Sequence, residues 1–185
     1  LVNIEYDGIE YKDGDYFLNK DGKQGIFTRS SKNNYLINAK YDKVIPIYNS
    51  YFYELYNGES CNIVLLANNT QSPIISDCKI IENIGSAVIF EKNGFKGIFW
   101  ALKDKQHLIL DTYDDVEYLG ASYYLVTKNG KKGILHGTET IIEPKYESIE
   151  INGYCEYKNL NFLSYAKTLY FALKMADGQY ELAKY

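Results

Sequence analysis

Short runs of apolar and β-branched residues alternate along the chain with Asx-Gly pairs, and the spacing of these pairs is regular. The pairs are Asp21-Gly22, Asn57-Gly58, Asn93-Gly94 and Asn129-Gly130. Their glycines stand 36 residues apart. Asp-Gly and Asn-Gly supply the positive φ angles that a tight hairpin turn demands. The pattern therefore predicts four β-hairpins in tandem.

The residues around each pair repeat as well. Strand-forming runs precede the turns at Tyr16-Phe17-Leu18, Phe52-Tyr53-Glu54, Val88-Ile89-Phe90 and Tyr124-Leu125-Val126. After the turns come Gly25-Ile26-Phe27, Cys61-Asn62-Ile63, Gly97-Ile98-Phe99 and Gly133-Ile134-Leu135. A third strand is predicted over 36–44, 108–116 and 141–149, with a degenerate copy at 74–81. Since proline has no amide hydrogen, Pro144 predicts that this strand lies at a sheet edge or enters a bulge.

These repeats predict an all-β fold made of tandem hairpin-plus-strand units in a single domain, 1–185. The repeats cover about 16–45, 51–82, 87–117 and 123–150, and residues 1–10 form the tail of a further unit. A partial repeat occupies 170–185, after an insert of about 155–167 in which a short helix is one interpretation. Two arrangements compete: an open solenoid-like array, which we favour because three strands are few for a propeller blade, and a closed propeller-like ring of five units.

Two segments of the fourth repeat resemble a known family. Residues 128–135 (Lys-Asn-Gly-Lys-Lys-Gly-Ile-Leu) and 141–149 (Ile-Ile-Glu-Pro-Lys-Tyr-Glu-Ser-Ile) resemble the WG-containing repeat of bacterial proteins. Where that family has Trp, this chain has Gln24, Lys96 and Lys132. The resemblance implies tandem β-units in exported or surface-associated bacterial proteins, in the periplasm or at the cell surface. It implies no catalytic activity and supplies no catalytic residues.

Composition and charge limit the classes of partner that this chain is expected to bind. The net charge is −4 with scattered Lys and Arg, so the chain lacks the basic patch that nucleic acid requires. No apolar run approaches the length of a membrane span. The odd number of cysteines leaves two possibilities open: one disulfide, for which Cys61 and Cys78 form the best pair, or three buried free thiols including Cys155. The free thiols are the commoner outcome.

Catalytic and metal-binding patterns are sparse. His107 with Asp111 is the best available acid–base pair, and the other histidine, His136, has only Glu139 near it in sequence. Two acidic clusters are interpreted as solvated faces rather than calcium sites, because strand alternation separates their side chains. They are Asp114, Asp115 and Glu117, and Glu143, Glu147 and Glu150. We expect no enzyme and no cofactor.

The 20 tyrosines are the remaining candidates. One set recurs at a single repeat position, so a packing role is expected for it: Tyr6, Tyr41, Tyr113 and Tyr146. Alternation is expected to turn outward about half of the tyrosines that precede the turns, which are Tyr16, Tyr51, Tyr53, Tyr123 and Tyr124. The candidate binding residues are Tyr53, Trp100, Tyr123 and Tyr124. The expected function is a scaffold for protein–protein interaction, and the alternative is a carbohydrate- or peptidoglycan-binding module.

Overall fold

The computed structural model describes residues 6–29, 34–47, 51–66, 73–101, 107–155 and 166–184. Within these ranges all regular structure is β, which confirms the predicted class. The strands are β1 (Gly8–Lys12), β2 (Asp15–Lys20), β3 (Lys23–Arg29), β4 (Asn34–Tyr41), β5 (Lys43–Pro46), β6 (Phe52–Asn57), β7 (Ser60–Leu65), β8 (Pro73–Ile84), β9 (Ala87–Lys92), β10 (Phe95–Ala101), β11 (His107–Tyr113), β12 (Asp115–Gly120), β13 (Tyr123–Lys128), β14 (Lys131–His136), β15 (Glu139–Tyr146), β16 (Ser148–Cys155), β17 (Ala166–Lys174) and β18 (Tyr180–Lys184).

Neighbouring strands in sequence are neighbours in the sheets. The orders are β1-β2-β3-β4, β11-β10-β9-β8-β7-β6-β5, β12-β13-β14-β15 and β16-β17-β18. The strands pair antiparallel, as in β1–β2, β2–β3, β6–β7 and β13–β14, and among the described residues none of the sheets closes on itself. Nor does any helix of the described ranges have the length and apolar character to cross a membrane.

Hairpins form at the predicted Asx-Gly pairs. Both residues of Asp21-Gly22, Asn93-Gly94 and Asn129-Gly130 have positive φ, between 50° and 81°. That combination is the requirement of a type I′ turn. Two further hairpins use Asp13-Gly14 and the segment around Gly178, whose φ angles are also positive for Asp13, Gly14 and Gly178.

The predicted third strand is in fact two strands that meet at an acidic bend. The chain bends at Asp42, Asp114 and Glu147, so β4, β11 and β15 each end one residue before the bend. The following strands β5, β12 and β16 pair with the first strand of the next hairpin instead. In the second repeat no bend interrupts the strand, and β8 runs through to Ile84.

Carboxylates at bends hold the turn that follows them in sequence. Three of them accept a hydrogen bond from a turn amide: Asp42 from Gly58 (2.7 Å), Asp114 from Gly130 (3.0 Å), and Asp7, at the bend before β1, from Asp21 (2.6 Å). Lysines pair with the acids at the bends, as Lys23 with Asp42, Lys96 with Asp115 and Lys131 with Glu147. These contacts give a structural role to the acidic residue that follows each recurring tyrosine.

Glycine is required after the turn because the facing strand bulges toward it. A Cβ on Gly25 would lie 2.4 Å from the Ile37 carbonyl oxygen, and one on Gly133 would lie 2.6 Å from that of Ile142. The register shifts in both strand pairs at these points. Pro144 lies in the second of these irregularities, on the outermost strand of its sheet, as its lack of an amide hydrogen predicts.

The chain was predicted as a single domain, 1–185; the described residues group into two compact units, those of 1–92 with 99–108 and those of 93–98 with 109–185. The first contains a core of Ile26, Tyr35, Ile37, Val44, Tyr53, Leu55, Val64 and Leu66. The second contains a core of Tyr123, Ile134, Ile142, Tyr146, Phe171 and Leu173. Of the predicted insert, 156–165 lies outside the described residues, and with it any short helix.

The recurring tyrosines pack as expected. Tyr41 lies against the first core, and Tyr113 and Tyr146 are buried. The hydroxyl of Tyr146 donates a hydrogen bond to Glu181 at 2.9 Å. Tyr6, at the same repeat position, is half-buried.

Candidate functional site

The four aromatic residues predicted to bind a ligand are all buried. Their exposed fractions are 2% for Tyr53, 6% for Trp100, 9% for Tyr123 and 1% for Tyr124. Of the five tyrosines before the turns, Tyr16 and Tyr51 are exposed at 39% and 38%, close to the expected half. The four residues chosen as binding candidates are all among the buried residues. Their part in binding stays a prediction, but none of them offers an accessible ring in this structure.

The reason lies in how their strands are covered. Alternation exposes one side chain in two only where one face of the strand meets solvent. In β6 the four residues from Phe52 to Leu55 are all buried, and in β10 so are the four from Gly97 to Trp100. Both faces of these strands are therefore covered.

Tyr53 is held by a polar network as well as by packing. Its hydroxyl donates a hydrogen bond to Asp15 at 2.9 Å, and Thr28 donates to the other oxygen of the same carboxylate. Burial raises the pKa of Asp15, and burial likewise raises the pKa of Tyr53. The ring packs into the first core beside Tyr35 and Leu55. Tyr53 thus joins the second hairpin to the first.

Tyr123 and Tyr124 also have ring partners. Tyr123 stacks on His136 with centroids 4.2 Å apart and an interplanar angle of 13°. Tyr124 contacts Tyr118 at 5.3 Å. His136 is therefore packed against a ring.

The accessible aromatic surface lies on the first sheet, β1 to β4. Cross-strand partners Tyr11, Tyr16, Phe27 and Leu36 form one row across all four strands, and Ile9 stands beside Leu18 in the neighbouring row. We call Ile9, Tyr11, Tyr16, Phe27 and Leu36 the aromatic face. The exposed fractions are 65% for Tyr11, 62% for Ile9, 39% for Tyr16 and 38% for Leu36.

The aromatic face borders a groove of about 530 Å³. Leu18 and Phe27 contribute to its apolar lining, and Arg29 and Asn34, cross-strand partners at the end of β3 and β4, add polar groups. Tyr6 lines it too, and its hydroxyl is buried without a hydrogen-bond partner among the described residues. Burial raises the pKa of Tyr6. An apolar groove with a few polar groups is typical of a binding site.

The sequence carried a signal for this site that the period of 36 obscured. Asp13-Gly14 is an Asx-Gly pair outside the regular spacing, and it forms the turn that brings Tyr11 opposite Tyr16. Their ring centroids lie 5.0 Å apart. A search for every Asx-Gly pair would have predicted the hairpin, although not that its face is exposed.

The other chemical candidates do not converge in the described part of the chain. The side chains of His107 and Asp111 lie outside the described residues, so that pair stays a prediction. Asp114, Asp115 and Glu147 are engaged at the bends. Within the described ranges no three His, Cys, Asp or Glu residues are placed to hold a metal ion.

Comparison with known proteins adds little. No family model matches the chain, and no curated protein does either. Among solved structures, the crystal structure of Hsv2 from Kluyvelomyces marxianus is similar over 94% of this chain, with 9% identity and a TM-score of 0.36. The chain spans 62% of the length of that protein. A similarity this low supports no conclusion about fold or function.

Proposed function

We propose that this chain is a non-catalytic repeat scaffold that binds another protein through the aromatic face. One observation carries the proposal: a row of large apolar side chains lies exposed on one face of the first sheet. The opposite face of that sheet is committed to the core through Ile26, Tyr35 and Ile37. Exposed apolar patches bordered by polar residues mark interaction sites.

A protein segment suits this surface better than a sugar ring does. The rings of Tyr11 and Tyr16 are inclined by 46°, and those of Tyr16 and Phe27 by 49°, so they form no flat platform. Inclined rings with gaps between them accept the varied side chains of a peptide. β1 is an outer strand of its sheet, and an extended segment can add to such an edge through main-chain hydrogen bonds.

The alternative is a carbohydrate- or peptidoglycan-binding module. It is supported by the exposure of Tyr11 and Tyr16 and by the polar groups of Arg29 and Asn34 at the groove. A sugar would place a ring against one tyrosine and its hydroxyls against the arginine and the amide. This alternative predicts that Arg29 matters as much as the tyrosines do.

Selection of a peptide-display library, run beside a glycan array, tests the proposal. The matched proteins are the unchanged chain, a Tyr11→Ser, Tyr16→Ser double variant, and Tyr180→Ser as a control at another tyrosine of similar exposure (60%). We expect peptides with alternating apolar residues to bind the unchanged chain and the control, and to bind the double variant at least tenfold more weakly. Glycan binding that the double variant loses would establish the alternative. Binding of neither, or equal binding by all three proteins, would refute the proposal.

The proposal extends to the arrangement of the repeats, which we take to be an open array of the WG-repeat kind in an exported bacterial protein. Outer strands with exposed apolar residues support it, as in β1 and in β18, where Leu182 is 71% exposed. The alternative is the closed ring of five units. Small-angle X-ray scattering separates the two, because a compact chain of 185 residues has a radius of gyration of about 16 Å and an open array exceeds it.

A further inference from the structure

Two cysteines face each other inside the seven-stranded sheet. Cys61 in β7 and Cys78 in β8 are cross-strand partners, both free, with exposed fractions of 0% and 2%. Such partners in antiparallel strands have Cα atoms about 4.5–5.5 Å apart, which lies within the roughly 4.4–6.8 Å that a disulfide spans. The two thiols are hydrogen-bonded to each other, and Cys78 Sγ also lies 3.2 Å from the carbonyl oxygen of Cys61.

A buried carboxylate lies beside this pair. Glu54 in β6 has no exposed surface, and its neighbour Tyr56 is the cross-strand partner of Cys61. Since side chains two residues apart share a strand face, Glu54 lies on the same face as Cys61. Tyr56 donates a hydrogen bond to Glu54 Oε2 at 2.6 Å and Asn83 also hydrogen-bonds to this carboxylate, whereas Oε1 has no partner in the described part of the chain.

An unpaired carboxylate oxygen in the interior is costly, which makes a proton-accepting role the natural explanation. The charge of Glu54 acts on both thiols. Burial raises the pKa of Glu54, and a carboxylate with a raised pKa accepts a proton more readily.

We infer that Cys61 and Cys78 are a redox-modifiable dithiol, which hydrogen peroxide closes to a disulfide with Glu54 taking the proton from Cys61. In the first step the thiolate of Cys78 attacks one peroxide oxygen and forms a sulfenic acid. The displaced hydroxide combines with the proton that Cys78 released. In the second step Cys61 gives its proton to Glu54 and attacks the Cys78 sulfur. The leaving hydroxide takes that proton, so two thiols and one peroxide yield a disulfide and two waters.

The order of the two steps follows from where the groups lie. Glu54 shares a strand face with Cys61 and takes its proton in the second step, so Cys78 is the thiol left to meet peroxide first. The hydrogen bond between the thiols, which lowers the pKa of Cys78 and raises that of Cys61, agrees with this order. The burial of both residues favours a small oxidant such as hydrogen peroxide over a bulky disulfide reagent.

The test uses the Cys155→Ser variant, so that only Cys61 and Cys78 remain. The folded protein is treated with hydrogen peroxide, its free thiols are alkylated, and the digest is analysed by mass spectrometry. We expect a Cys61–Cys78 cross-linked peptide that dithiothreitol reverses. In the Cys61→Ser variant of this protein, Cys78 should stop at a sulfenic acid, which mass spectrometry detects as one added oxygen.

Glu54→Gln separates the carboxylate's role from a purely structural one. The variant should close the disulfide at least about tenfold more slowly, because the proton acceptor is lost. The rate at which Cys78 gains one oxygen, followed by mass spectrometry in the Cys61→Ser background, should stay unchanged. Circular dichroism is the control that checks whether the variant is folded.

Three results would overturn the inference. One is cross-linking that occurs only after denaturation, and another is overoxidation of Cys78 without any cross-link. The third, closure as fast in Glu54→Gln as in the parent, would remove Glu54 from the mechanism. None of these results depends on the aromatic face, so this inference and the proposed function stand or fall separately.

Discussion

The first and second hairpins arise from the same sequence signal and differ in the structure. In the first, Asp21 and Gly22 are the two central residues of the turn, because Lys20 pairs with Lys23. In the second, Asn57 pairs with Ser60, so that Gly58 and Glu59 are central and only Gly58 has a positive φ. Glycine alone at the first central position is the pattern of a type II′ turn. The central residues of the second turn therefore lie one position later in the repeat than those of the first, a slide of one residue.

That slide changes which residue meets the bulge of the next strand. In the first hairpin it is Gly25, where no side chain fits. In the second it is Asn62, whose side chain accepts a hydrogen bond from the Asp77 amide at 3.0 Å, while Asp77 itself takes a φ of 54°. The bulge of the next strand is thus accommodated in two ways. The facing residue either has no side chain, as at Gly25, or uses its side chain as a hydrogen-bond acceptor, as at Asn62.

The two hairpins also differ in what covers them. Tyr16 of the first is exposed at the aromatic face, whereas Tyr53 of the second lies in the core and reaches back to Asp15. In the repeat alignment Tyr16 corresponds to Phe52, which is fully buried, so one repeat position is surface in the first hairpin and core in the second. The local sequence at that position does not distinguish the two outcomes.

The largest expected effect comes from filling the space at Gly25. Gly25→Ala should lower the free energy of unfolding by about 3 kcal/mol, because its Cβ meets backbone atoms that cannot move aside. Asn62→Ala, the matched change in the second hairpin, should cost only about 1 kcal/mol for the lost hydrogen bond. Urea unfolding followed by circular dichroism measures both. Equal losses would show that the two bulges are not accommodated differently.

A smaller effect is expected from the tyrosine hydroxyl that joins the hairpins. Tyr53→Phe should cost about 2 kcal/mol, since Asp15 then keeps a buried oxygen without its donor. Tyr11→Phe, at an exposed tyrosine, should change stability by less than about 0.5 kcal/mol. A Tyr53→Phe protein as stable as the parent would mean that this hydroxyl does not hold the hairpins together.

The smallest effect is expected at the exposed bend. The pKa of Asp42 is lowered by its hydrogen bond from Lys23 and by the Gly58 amide. A lowered pKa means that the stabilisation is present above pH 3.8, the ordinary value, and is lost as the pH falls through the folded-state pKa. Asp42→Asn should therefore be slightly less stable than the parent at pH 7 and equal to it in strong acid. Asp13→Asn, without these partners, is the control, and an Asp42→Asn deficit that persists in strong acid would contradict the assignment.

The acidic bends show where sequence reasoning stops. The β-formers run on both sides of Asp42, so one continuous strand was the natural prediction. The chain turns there because the carboxylate accepts a hydrogen bond from Gly58, 16 residues further along, and because the next strand pairs with another hairpin. Interactions between residues so far apart in sequence produce no periodic pattern that the sequence alone would show.

By itself the sequence determined the all-β class and the places of the hairpin turns to within one residue. Each of these depends on a short-range property: the φ angles open to glycine and asparagine, and the alternation of side chains along a strand. Only the tertiary structure decided which faces are covered, and hence that Tyr53 is core while Tyr11 is surface. It also decided that Cys61 and Cys78 lie opposite each other beside Glu54. The register of β6, β7 and β8 depends on the one-residue slide of the second turn. Burial and register arise from what packs against a strand, and no stretch of that strand encodes its neighbours.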